Sequence, residues 1–82
     1  MATMQDKSNP HGVVWTRPDG SVVACHEKVL VLNENYGELK QLLQDALDDA
    51  LLMGCAKAMV LQAFQAALDG VQATVQEDDG VV

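Results

Sequence analysis

Residues 21–32 read SVVACHEKVLVL, and the fold turns on where extended chain gives way to helix within them. Ser21, Val22 and Val23 favour extended chain. From Val29 onward the apolar residues change period. Val29, Leu32, Tyr36, Leu39, Leu43, Ala46, Ala50 and Met53 are spaced by three and four residues without a break. That spacing marks an amphipathic helix packed on another helix. A competing reading continues the strand through Leu32 and starts the helix near Tyr36, with Asn35 and Glu38 as an imperfect capping box. Gly37 inside a helix costs about 1 kcal/mol relative to Ala. Burying Val29 and Leu32 together outweighs that cost. The spacing therefore predicts a long helix over residues 27–53.

The preceding stretch, VVWTRPDGSVVAC, predicts a β-hairpin over residues 13–24. Arg17-Pro18-Asp19-Gly20 is a strong turn: proline presets φ, and glycine supplies a positive φ. Alternation places Val13 and Trp15 on one face and Val14 on the other. A lone hairpin is marginal in water, so Trp15 is expected to anchor it to something larger. After Gly54, a helix cap, a second helix is expected over 56–75. Its apolar row is Leu61, Phe64, Leu68, Val71 and Val75. The short connection makes the two helices antiparallel. Residues 1–12 are expected to be a flexible arm and residues 76–82 an acidic flexible tail. The fold class is then α+β: an N-terminal β-hairpin on an antiparallel helix pair, in one domain over 13–75.

The chain has 82 residues and little aromatic content, 4%, so any core must be built from Val, Leu, Ala and Met. So short a chain buries a modest fraction of its surface. Leu42, Leu43, Leu47, Leu51 and Leu52 spread too far around the first helix for one partner helix to cover them. A homodimer with a four-helix core across a two-fold axis is the expected remedy.

The formal net charge of -7 repels phosphate backbones, so nucleic-acid binding is not expected. The N-terminus lacks the apolar core of a signal peptide, and no apolar run approaches the roughly 18 residues of a membrane span. A cytoplasmic protein with reduced thiols and no membrane partner is expected.

Cys25, His26 and Glu27 form a suggestive triplet. Catalytic Cys and His, however, usually come from different parts of a fold and meet through a hydrogen bond. Chain neighbours point apart, on a strand or on a helix. Cys25 lies four residues before Val29, so packing explains it without chemistry. His11, Cys25, His26 and Cys55 are the possible metal ligands, and their spacing matches no known site. No catalytic residue, metal or cofactor is expected. Glu34, Glu38, Asp45 and Asp48, with Asp49 beside them, form a stripe opposite the apolar seam. They are the candidate partner-binding residues, suited to a basic protein.

The stretches GVVWTRPDGS and KVLVLNENYGELKQLLQDALDDALLMG resemble small conserved bacterial proteins that are themselves uncharacterised. The likeness covers about residues 12 to 70. It implies a bacterial, cytoplasmic protein and carries no activity, ligand or site residue with it. The expected function is a non-enzymatic protein-binding or regulatory module, working through the acidic helix face and an apolar groove. The alternative is a thiol- or metal-responsive sensor using Cys25, His26 and Cys55.

Overall fold

The computed structural model describes residues 12–77. Two helices account for its regular structure: α1, His26–Leu52, and α2, Lys57–Asp69. The described residues divide into two compact units, residues 12–37 with 76–77, and residues 38–75. Residues 1–11 of the expected arm and 78–82 of the expected tail lie outside the described residues.

In the first unit the Arg17–Gly20 turn forms as its residues dictate. The Gly20 N–H donates to the Arg17 carbonyl at 2.9 Å, and Gly20 takes a φ of 91°. The Arg17 N–H donates to the Ser21 carbonyl, and the Val23 N–H to the Trp15 carbonyl, each at 2.8 Å. Between these bonds lies a single antiparallel bridge, Thr16 to Val22. There the pairing ends. No β-strand occurs among the described residues, and the α+β class with an N-terminal β-hairpin is corrected to an all-helical, hairpin-like fold. The reason is the helix that follows. Its first bond runs from the Val29 N–H to the Cys25 carbonyl, so the chain coils two residues after Val23. A ladder needs longer arms than that leaves.

The helix start settles the competition within residues 21–32. The backbone is helical from His26, straight through Asn35 and Gly37, so Asn35 is no cap. Glu27 sits in the first turn, where the helix dipole favours a carboxylate.

The second unit is a helical hairpin built from the C-terminal half of α1 and from α2. Its turn is a Schellman motif. The Cys55 N–H donates to the Ala50 carbonyl at 2.9 Å and the Gly54 N–H to the Leu51 carbonyl at 3.1 Å, with Gly54 at a φ of 98°. The second helix ends at Asp69, six residues short of the predicted Val75. Gly70 caps it with a φ of -87°, and its N–H donates to the carbonyls of Ala66 and Ala67. Glycine is costly inside a helix, and Val71, Thr74 and Val75 are β-branched, so nothing beyond Gly70 favours another turn.

Val60 of α2, at 6% exposure, is the one buried hydrophobic side chain among the described residues. Ala46, Leu47, Ala50 and Phe64 are half-buried. No helix among the described residues is long and apolar enough to cross a membrane.

Candidate functional site

The carboxylates of α1 are placed by helical spacing alone. Glu34 belongs to the first unit; Glu38, Asp45, Asp48 and Asp49 belong to the second, and all five are exposed. The Gln41 side-chain amide donates to Asp45 at 2.9 Å, and that of Gln44 to Asp48 at 3.1 Å. Each pair spans four residues, the spacing that makes helix side chains neighbours. These bonds orient two carboxylates while leaving them in water. The arrangement displays charge.

Around that charge lies an unusual amount of apolar surface. On the second unit Leu39, Leu42, Leu43, Leu51, Leu52 and Met53 of α1 and its turn are exposed, as are Met59, Leu61 and Leu68 of α2. Leu42 is 65% exposed and Leu52 87%. Surface leucines scattered singly need no explanation; nine large apolar side chains exposed on one helical hairpin do.

Cys25 and Cys55 are free and exposed. Cys25 precedes α1, His26 opens it and Cys55 follows it. Among the described residues no group of three or more His, Cys, Asp or Glu could hold a metal ion. His11 lies outside the described residues.

The sequence reading did not single out Asn33. It is 5% exposed, and its side-chain carbonyl accepts a hydrogen bond from the Trp15 indole N–H at 2.8 Å. Trp15 also meets Tyr36 edge to face, with ring centroids 6.3 Å apart and planes at 78°. Asn33 and Tyr36 are three residues apart, so one face of α1 receives the tryptophan. Val13, Val23, Val29 and Leu32 are half-buried with it, while Val14 is exposed, as alternation predicts. A legible signal existed: a lone asparagine four residues after Val29 on an apolar stripe, in a chain whose one indole needs an acceptor.

Behind Trp15 the turn is tied by side chains. The Ser21 hydroxyl and N–H both donate to Asp19, at 2.7 and 2.9 Å. Arg17 donates to the Val22 carbonyl at 2.9 Å and to the Ser21 hydroxyl at 3.3 Å. The Ser21 hydroxyl, then its N–H, hold the Asp19 carboxyl below its ordinary value of 3.8.

No family model matches the chain, and no curated protein or solved structure is significantly similar to it. The site therefore rests on its own residues.

Proposed function

We propose that this chain is a non-enzymatic protein-binding module whose working surface is the exposed apolar residues of the helical hairpin, bordered by the acidic side of α1. What supports this is the contrast between one buried hydrophobic residue, Val60, and a hairpin otherwise studded with exposed leucine and methionine. Covering a leucine is worth about 1.5–3 kcal/mol. A partner seated on several of them gains affinity and completes a core that the hairpin lacks. The carboxylates at Glu38, Asp45, Asp48 and Asp49 then select for a basic rim on the partner and speed its approach.

The test is capture on the immobilised full chain, from a lysate of its cell of origin. A polypeptide retained by the native chain should be lost with Leu42→Glu and Leu52→Glu together. It should be held more weakly, and with less salt dependence, when Glu38, Asp45 and Asp48 become amides. A chain that retains nothing and does not associate with itself would contradict the reading.

A further inference from the structure

Leu39, Leu43, Leu47 and Leu51 form an uninterrupted row of identical residues at intervals of four along α1, all within the second unit. Their exposures are 52% at Leu39, 39% at Leu43 and 41% at Leu51, with Leu47 half-buried. Rows at this spacing form ridges along a helix surface. This row has a further property. Read in reverse it is unchanged: Leu39 exchanges with Leu51, and Leu43 with Leu47. Turned about a two-fold axis between Leu43 and Leu47, the row meets its copy leucine against leucine.

Charge agrees with the reversal. No charged residue interrupts the row. Lys40 flanks its N-terminal end, and Asp48 lies on the same flank toward its C-terminal end; both are exposed. Turning one copy around brings Lys40 of one toward Asp48 of the other. Size points the same way. The unit, residues 38–75, is small and buries a single hydrophobic side chain, Val60. Both cysteines are free.

We propose that the occupant of this face is a second copy of the chain, docked through Leu39, Leu43, Leu47 and Leu51 across a two-fold axis. The inference goes beyond the protein-binding reading above and concerns a separate row of α1, to which Leu42 and Leu52 do not belong.

Sedimentation of the full chain at micromolar concentration tests it. The native chain should sediment at twice its mass. Leu43→Glu should sediment as one chain with its helical circular dichroism intact, while Leu42→Glu, one residue off the ridge, should stay paired. Should Leu43→Glu lose its helical signal, the charges decide. Lys40→Asp should raise the dissociation constant at least about tenfold, and adding Asp48→Lys should restore it. Any of three results would overturn the proposal: a native chain that sediments singly, a folded Leu43→Glu that still pairs, or a Lys40→Asp without effect. A native chain that sediments singly, yet captures another polypeptide through Leu42 and Leu52, would remove this inference and leave the protein-binding reading standing. A native chain that does neither would remove both.

Discussion

Asn33 and Asn35 are two residues apart on α1 and differ in what they hold. Asn33 accepts the Trp15 indole N–H in a nearly buried setting; Asn35 is exposed on a continuous helix. Removing the acceptor leaves the indole donor unsatisfied, at a cost of about 1–3 kcal/mol. Asn33→Ala should therefore lower the urea midpoint and shift the Trp15 emission, whereas Asn35→Ala should stay within about 0.5 kcal/mol of the native chain. Asp19 offers a pH-dependent counterpart. Its folded value is depressed, so its contribution to the turn is present above 3.8 and is lost as pH falls through the lowered folded value. Ser21→Ala should return the Asp19 titration toward 3.8, read from its carboxyl carbon shift. The turn itself was legible, because Pro18, Asp19 and Gly20 act on their own neighbours. Asn33 was harder to read, since its role depends on a tryptophan eighteen residues away.

The elements show the same division between local and distant causes. The first helix was readable nearly to its ends, because its apolar period continues through Gly37 and its cap at Gly54 is a local signal. The hairpin strands failed because β-propensity at Val13–Trp15 and Ser21–Val23 could not outlast the start of α1 at His26. The second helix was overextended because Val71 and Val75 kept the period after Gly70 had ended the backbone. The two glycines should respond oppositely to alanine. At Gly54 nothing lies within 4 Å of an added Cβ, so the cost is purely that of a positive φ, about 1–2 kcal/mol. At Gly70 φ is -87° and the nearest atoms are ordinary contacts at 3.6 and 3.7 Å. Gly70→Ala should be neutral or stabilising by up to about 1 kcal/mol, measured by denaturant unfolding. The second helix is weakly specified at its start. Ala56 makes no side-chain cap bond, and no acidic residue occupies the first turn. Helices of its 13 residues are marginal alone in water. Such an element holds only if its apolar side is covered.

At the scale of the molecule, one buried hydrophobic residue among the described residues must be set against two helices that need burial to persist. The leucine excess on α1 was visible in the sequence as an arc too wide for one neighbour. Its exposure required the structure, because the reach of α2 depends on where Gly70 ends it. If association covers this surface, stability must depend on how much protein is present. Thermal unfolding followed by circular dichroism, over about a hundredfold range of concentration, tests it directly. The midpoint should rise steadily with concentration in the native chain and stay flat in Leu43→Glu. A native midpoint independent of concentration would contradict it.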